Sequence, residues 1–435
     1  MSSSRTLCTP HDHVVHRRQF MGTLGWGVSA AVCNLNAWTG LCSLARANEV
    51  RHQDKRVIIL YLGGGASQLE TWDPKPGKPT GGPYGAIPTS VPGLHISELL
   101  PKMAMRMHHL AVVRSVDNSE FSPSHHGTGM HIGRKAENSV RFPTLAEICT
   151  KELTLADTKV PPHVELQVTD LFRYESEAGM SIFGSRYAPI LLSGGKRAPN
   201  LSRLPGMDDV DHADRDALRA YLSRRFEQSR RAGEAEAFSR TNGQVRGVMS
   251  CDALLDVDQS DPADLARYGS TPIARHCLLA RRLVEAGVGV VKVRDTWWDS
   301  HADNFEGQRI KCANLDHALS LLVDDLVDRG LMDHTLLVVL SEFGRTPKIS
   351  ATLGRNHWTK AWSVIMGGRG IQAGAVYGKT NADGTEIVDG RTLPADLFAT
   401  YFRALEIPTD VPYMIGDRPI PVVDDGGTAI EPLLA

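Results

Sequence analysis

The sequence predicts an α/β protein: a doubly wound, mostly parallel sheet with helices on both faces, and loop and helical insertions. Two observations carry this prediction. Continuous apolar runs indicate strands that are buried on both faces, and helical patterns alternate with several of them along the chain. The apolar runs lie at 57–62, 110–115, 288–293, 335–340 and 361–366. A chain of 435 residues is long enough for one large domain of this class with a peripheral insert.

The first 47 residues are interpreted as a twin-arginine signal peptide. Arg17 and Arg18 precede a weakly apolar, glycine- and alanine-rich stretch at 22–44, and Ala-Arg-Ala at 45–47 offers a small-residue cleavage site. An uncleaved membrane anchor is the alternative, although two asparagines and repeated glycines make the stretch polar for a span. We therefore expect export by the twin-arginine machinery and a domain at 48–435 in the periplasm or outside the cell.

Composition excludes some classes of function and leaves others open. Lys and Arg total 48 against 50 Asp and Glu, so no charge excess supports binding to nucleic acid. Beyond the leader the cysteines are widely spaced and form no CxxC pair, which argues against a zinc ribbon or a thioredoxin-type motif. Which of Cys149, Cys251, Cys277 and Cys312 form disulfides, and the oligomeric state, stay open.

The first half of the domain carries two loops of chemical interest. Three glycines at 63–65 follow the first strand, but their spacing matches neither a dinucleotide fingerprint nor a P-loop. The loop after the strand at 110–115 carries histidines and the hydroxyl residues Ser124 and Thr128, which are candidate ligands or nucleophiles. Solvent-exposed histidines are the alternative interpretation there. Thr144 is predicted near the N-terminus of a helix.

The second half alternates helices with strands. A charged stretch at about 205–250 predicts an exposed helical insertion, with a partner surface as the alternative. Helices are predicted from Thr271 to about Gly287, over 311–329, and over 393–405, and proline stands in the first turn of the first and the third.

Three loops converge on one predicted site. They follow the strands that end near 62, 293 and 340, and the last two supply Asp299, His301, Glu342 and His357. The carboxyl ends of parallel strands meet at one edge of a sheet, where ligands bind. Carboxylate oxygens and imidazole nitrogens together suit a divalent ion such as zinc or manganese. The alternatives are a helix cap by Asp299, a packed His301, and a surface ion pair between Glu342 and Arg345.

Five motifs carry a resemblance that covers essentially the whole domain: GGGASQ at 63–68, TWDPK at 71–75, WDSHADNF at 298–305, SEFGRTP at 341–347 and GRNHW at 354–358. They resemble an uncharacterised domain-of-unknown-function family of exported bacterial proteins, which is similar to the alkaline phosphatase and sulfatase superfamily. The resemblance implies an alkaline-phosphatase-like fold with two adjacent metal sites.

The resemblance implies that one of these two sites is intact. Asp299, His301 and His357 match its ligands, although the first two stand closer together than is usual. At the other site glycines at 63–65 replace an Asp, and Glu342-Phe343 stands where Asp-His would be. We therefore expect one divalent ion, with zinc, manganese and calcium all compatible, and Glu342 completing or orienting the site.

The implied activity is hydrolysis of a phosphate or sulfate ester of a small molecule or a carbohydrate. Gly133-Arg134 matches the sulfatase pattern, but the loop before it has no cysteine, which argues against a formylglycine sulfatase. Ser124 or Thr128, or water, would attack the ester, and Arg345 would clamp its anionic group. The alternative is a non-catalytic exported binding protein with a degenerate sulfatase-like fold, which the altered second site favours.

Overall fold

The computed structural model describes residues 55–121, 129–137, 139–154, 160–167, 181–184, 187–193, 209–227, 252–424 and 426–435. The predicted leader at 1–47, Ser124, Thr128 and Cys251 lie outside the described residues. The predicted charged insertion at 205–250 is described only at 209–227, where it is a helix.

The described strands belong to one large sheet and several small ones. They are β1 (Arg56–Leu62), β2 (Ala86–Pro88), β3 (His95–Ser97), β4 (Leu110–Val116), β5 (His163–Gln167), β6 (Ile190–Ser193), β7 (Val290–Asp295), β8 (Thr335–Leu340), β9 (Gly344–Arg345), β10 (His357–Trp358), β11 (Trp362–Gly368), β12 (Val376–Tyr377), β13 (Lys379–Thr380), β14 (Ile387–Asp389), β15 (Tyr413–Ile415) and β16 (Arg418–Ile420). The central sheet has eight strands in the order β12-β4-β11-β8-β1-β7-β5-β6.

The central sheet is mostly parallel, as predicted. Strands β8, β1, β7, β5 and β6 run parallel to one another, and β12 is parallel to β4. Strand β11, predicted at 361–366 as a continuation of the βαβ alternation, is antiparallel to both β4 and β8. That part of the prediction is wrong because no helix lies between β8 and β11. A parallel connection needs a crossover that returns the chain to the starting edge.

The helices cover both faces of the sheet. They are α1 (Pro101–Ala104), α2 (Gly129–Ile132), α3 (Leu145–Leu153), α4 (Asp209–Glu227), α5 (Asp252–Leu255), α6 (Pro262–Tyr268), α7 (Pro272–Glu285), α8 (Asn304–Asp328) and α9 (Pro394–Ala404). Short 3₁₀ helices lie at Met107–His109, Val257–Gln259, Met332–His334 and Glu431–Leu433. Helices α7 and α8 pack in one apolar cluster and α3 and α9 in a second. The predicted α/β fold class is confirmed.

Local signals explain where several helices begin. Thr144 caps α3: its hydroxyl accepts from the amide of Glu147 at 3.2 Å, and the Glu147 carboxylate accepts from the amide of Thr144 at 2.9 Å. Helix α8 begins at Asn304, earlier than the predicted 311, after Asp303 adopts a left-handed φ of 47°.

None of the helices in the described ranges combines the length and apolar character needed to cross a membrane.

Candidate metal centre

The candidate centre lies where three adjacent strands of the sheet end. Strand β1 lies between β8 and β7, and in the register Leu62 is opposite Asp295 while Tyr61 is opposite Leu340. The loops that leave these strands therefore start side by side at the carboxyl edge of the sheet. The loop after β7 carries Asp299 and His301, and the loop after β8 leads to His357.

Asp299, His301 and His357 bring three ligand atoms together. The Nε2 atom of His301 lies 3.0 Å from Oδ1 of Asp299, and the Nε2 atom of His357 lies 3.2 Å from the same oxygen. The two Nε2 atoms are 3.1 Å apart. The side chains of Asp299 and His301 are about half exposed, at 40% and 51%, whereas His357 is 11% exposed. The cluster therefore opens to solvent on one side.

The chemistry of these atoms fits a divalent cation. Two imidazole nitrogens and a carboxylate oxygen are all potential metal ligands. At these distances a proton or a cation must lie among them, because their lone pairs would otherwise repel one another. In a tetrahedral zinc site with bonds of about 2.0–2.1 Å, neighbouring ligand atoms lie roughly 3.3–3.4 Å apart. The three observed distances are slightly shorter, so a small outward shift of the ligands accommodates an ion. Binding would displace any proton held between them.

The pKa of the Asp299 carboxyl is set by burial and by its hydrogen bonds. Burial raises the pKa of its carboxyl, but hydrogen bonds from His357 and Arg345 outweigh burial and hold the pKa well below its usual value. The carboxylate is therefore ionised throughout the neutral range and available as an anionic ligand.

The two ligand loops dock on one another through their backbones. Arg355 donates its amide to the carbonyl of Ser300 at 3.1 Å, and Asp303 donates to the carbonyl of Thr352 at 3.1 Å. Gly354 permits this close approach, because a Cβ atom there would lie 1.7 Å from the carbonyl oxygen of His301. The docking brings His301 and His357 together although they are far apart in sequence.

Arg345 is buried under the centre and supports it. Its guanidinium donates to the carbonyl of Gly65 at 2.9 Å and to that of Arg355 at 3.0 Å, and also to the carbonyl of Gly64 and to Asp299. Its side chain is fully buried. This arrangement differs from the anion clamp expected from the sequence, because the guanidinium faces backbone carbonyls and a carboxylate. Arg345 instead holds Asp299 and the glycine turn.

Glu342 and Phe343 lie beside the three ligands without joining them. The Glu342 carboxylate accepts from the amide of Gly64 at 2.9 Å. Among the described residues, the group able to hold an ion comprises Asp299, His301 and His357, without Glu342. The Phe343 ring is fully buried, stacks on His357 with ring centroids 4.2 Å apart, and packs against Gly65. Phe343 thus occupies space beside His357.

Glycine is required at 64 and 65 for two reasons. Both have positive φ, at 104° and 87°, which a side chain rarely adopts. A Cβ atom at Gly64 would also lie 2.7 Å from the amide nitrogen of Asp299, and one at Gly65 would lie 2.5 Å from the Phe343 ring. The glycine run therefore lets the β1 loop pack against both neighbouring loops.

Sequence reasoning missed a buried ion pair that anchors the loop before His357. Arg355 and Glu70 are both fully buried and meet at 2.7 Å and 3.1 Å. The guanidinium also donates to the carbonyls of Thr346, Pro347 and Thr80 at 2.7–3.0 Å. Glu70 directly precedes the TWDPK motif and Arg355 lies in the GRNHW motif, but neither motif indicates that the two residues pair.

One of the histidines that follow β4, His131, is described by the structure and is not part of the group that could hold an ion. His131 is on α2, and its ring packs against Tyr61 with centroids 4.6 Å apart. Burial of the ring lowers its pKa well below the usual value and so favours the neutral form.

The description of the matching family model is "Protein of unknown function (DUF1501)", and the match covers residues 54–434. The chain belongs to this family. A comparison of this DUF1501 member with curated proteins gives no match.

Several solved structures also match this chain, with low sequence identity and low TM-scores. The PsFucS1 sulfatase from Pseudoalteromonas sp. has 12% identity and a TM-score of 0.39, over 86% of this chain and 72% of that one. The C-terminal periplasmic domain of EcEptC from Escherichia coli, in a complex with Zn, has 10% identity and a TM-score of 0.35, over 81% and 82%. A protein in the alkaline phosphatase superfamily from Vibrio parahaemolyticus has 11% identity and a TM-score of 0.33, over 81% and 66%.

Proposed function

We propose that this DUF1501 member is an exported, metal-dependent hydrolase of phosphate or sulfate esters. The observation that carries the proposal is the convergence of Asp299, His301 and His357, whose ligand atoms lie 3.0–3.2 Å apart at the solvent-exposed carboxyl edge of the sheet. The substrate would be an ester of a small molecule or a carbohydrate, and export would follow the twin-arginine route that the leader at 1–47 indicates.

In this proposal the residues of the site have distinct roles. A divalent ion bound there would supply Lewis acidity toward an ester oxygen. Asp299, His301 and His357 would hold it, and Arg345 would keep the Asp299 carboxylate ionised and oriented. Glu342 would act indirectly, because its carboxylate accepts from the amide of Gly64 and so orders the glycine turn.

The packing of Phe343 supports one ion rather than two. A second ion in a two-metal site would lie about 3.5–4 Å from the first. The buried Phe343 ring stacks on His357 and packs against Gly65, so part of the space beside the ligands is apolar and filled. An apolar ring offers a cation no ligand atom.

Ser124 or Thr128 remains the proposed nucleophile, and support comes from the segment that leads to them. Strand β4 is antiparallel to β11, which is antiparallel to β8, so β4 ends at the same edge of the sheet as β8. Asn118, shortly after β4, donates to the backbone carbonyl of Glu342 at 2.8 Å. The segment that follows β4 is thus hydrogen-bonded to the loop that follows β8.

The first test measures bound metal in the purified protein, in His301→Ala and His357→Ala, and in the control His95→Ala, whose histidine is exposed on β3. We expect about one ion per chain in the wild type and the control, and loss of the ion in both centre variants. Turnover of aryl phosphate and aryl sulfate esters, with zinc, manganese or calcium added, should fall in the same two variants. Absence of bound metal after reconstitution would refute the proposal.

A non-catalytic binding protein is the second candidate. Two observations favour it: Phe343 fills space next to the ligands, and the Arg345 guanidinium faces carbonyls instead of solvent. One ion without turnover of any aryl ester tested would favour this candidate over the hydrolase.

A further inference from the structure

Asn356 contacts the ring nitrogen of His301 that faces away from the ligand cluster. Its side-chain oxygen lies 3.0 Å from Nδ1 of His301, while Nε2 of the same ring lies 3.0 Å from Asp299 and 3.1 Å from Nε2 of His357. An amide oxygen is an acceptor only, so this contact requires a proton on Nδ1. The neutral ring then carries its lone pair on Nε2, which is the nitrogen that faces the cluster.

Asn356 projects from a firmly held backbone. Its carbonyl accepts from the amide of Thr346 at 2.8 Å, and its amide donates to the Thr346 hydroxyl at 3.0 Å. The preceding carbonyl, that of Arg355, accepts from the buried guanidinium of Arg345 at 3.0 Å. The side-chain amide thus reaches His301 from a segment that is fixed on both sides.

Because Asp299 lies next to Nε2 of His301, the tautomer of His301 determines whether that nitrogen is free to bind a metal ion. A neutral histidine ring in water favours the tautomer with its proton on Nε2. In that tautomer His301 would donate from Nε2 to the Asp299 carboxylate, 3.0 Å away. Such a hydrogen bond would stabilise the protonated nitrogen and block both atoms as metal ligands.

We propose that Asn356 is a positioning residue that keeps His301 in the Nδ1–H tautomer and thereby holds its Nε2 ready for a metal ion. This inference rests on the proposed metal centre for its functional meaning, but the tautomer itself is a property of the metal-free protein. Hydrogen-bond partners on the far side of ligating histidines set ring orientation and tautomer in metal sites generally.

The test reads the tautomer directly. Two-dimensional ¹H–¹⁵N NMR of histidine-labelled, metal-free protein at about pH 8, where an ordinary histidine is neutral, distinguishes protonated from unprotonated ring nitrogens. The His301 signals are assigned by their loss in His301→Gln. We expect Nδ1–H in the wild type and in Asn356→Asp, which keeps an acceptor, and a shift toward Nε2–H in Asn356→Ala.

Metal affinity gives the second readout, by calorimetric titration with zinc. Asn356→Ala should bind about tenfold to a hundredfold more weakly than the wild type, the range found when such partners are removed. Asn356→Asp should bind within a few-fold of the wild type. Asn381→Ala serves as the control, because Asn381 orders a loop by accepting from the amide of Thr385 at 2.9 Å. Urea unfolding of each variant checks that the fold is retained.

The outcomes separate this inference from the proposed function. Wild-type His301 in the Nε2–H tautomer, or an unchanged tautomer in Asn356→Ala, would overturn the inference whatever the metal content. A wild type that binds no metal, with the tautomer shift still present, would refute the metal centre and leave the role of Asn356 in orienting the ring established.

Discussion

Replacing Arg355 by methionine should destabilise the protein and disorganise the candidate centre together. The substitution keeps much of the side-chain length but removes the guanidinium that bonds Glu70 and the carbonyls of Thr346, Pro347 and Thr80. Glu70 would then be a fully buried carboxylate without its countercharge. Removing one partner of a buried ion pair costs about 3–5 kcal/mol, which is a large part of the roughly 5–15 kcal/mol that stabilise a typical domain.

The assay is urea unfolding followed by tryptophan fluorescence, with zinc titration of the folded variant. The double variant Glu70→Leu/Arg355→Met should recover part of the lost stability, because no charge stays buried in it. The control is Arg309→Met, since Arg309 and Glu306 form an exposed pair with side chains 54% and 60% exposed, and its unfolding midpoint should not move. An Arg355→Met variant within about 1 kcal/mol of the wild type, or one that binds zinc normally, would refute this reasoning.

Three further predictions concern other positions. Gly354→Ala should abolish zinc binding, measured by titration, because its Cβ would overlap the carbonyl of His301. Burial lowers the pKa of His276 to about 4. Between about pH 6.5 and 4 this histidine is therefore protonated in the unfolded chain but neutral in the folded chain. Stability should therefore fall by up to about 3 kcal/mol as pH decreases from about 6.5 to 4, and urea midpoints of His276→Leu should lack this loss. Burial raises the pKa of the Cys149, Cys277 and Cys312 thiols, so a thiol reagent should label them only after unfolding.

The central strands could be predicted because their signal is local. Strands β1, β7 and β8 are apolar runs buried on both faces, and the rule that ligands gather at carboxyl ends placed Asp299, His301 and His357 near one another. The direction of β11 could not be predicted in this way, because an apolar run looks the same in either orientation. The long loop before it, which lacks a helix, was the available sign that the strand returns antiparallel.

The start of α8 shows a second limit of local patterns. Residues 304–310 are mostly polar, so their periodicity did not extend the helix, yet tertiary contacts hold them helical. Asn304 donates its amide to the carbonyl of Leu353, and Tyr84 donates its hydroxyl to the carbonyl of Phe305 at 2.8 Å. The ligand loop after β7 is therefore shorter, and more closely held, than the sequence indicated.

The residue types in the site loops did not reveal which polar groups face an ion and which hold the loops together. Glu342 and Asp299 are both carboxylates next to strand ends, yet one accepts from the amide of Gly64 and the other from Arg345 beside two imidazoles. From the sequence alone, the guanidinium of Arg345 could equally have faced the anionic group of a substrate. The difference lies in the partner that each polar atom meets, and those partners come from distant parts of the chain. The three proposed ligands share a property that only the folded chain shows, since their potential ligand atoms lie 3.0–3.2 Å from one another at an opening to solvent.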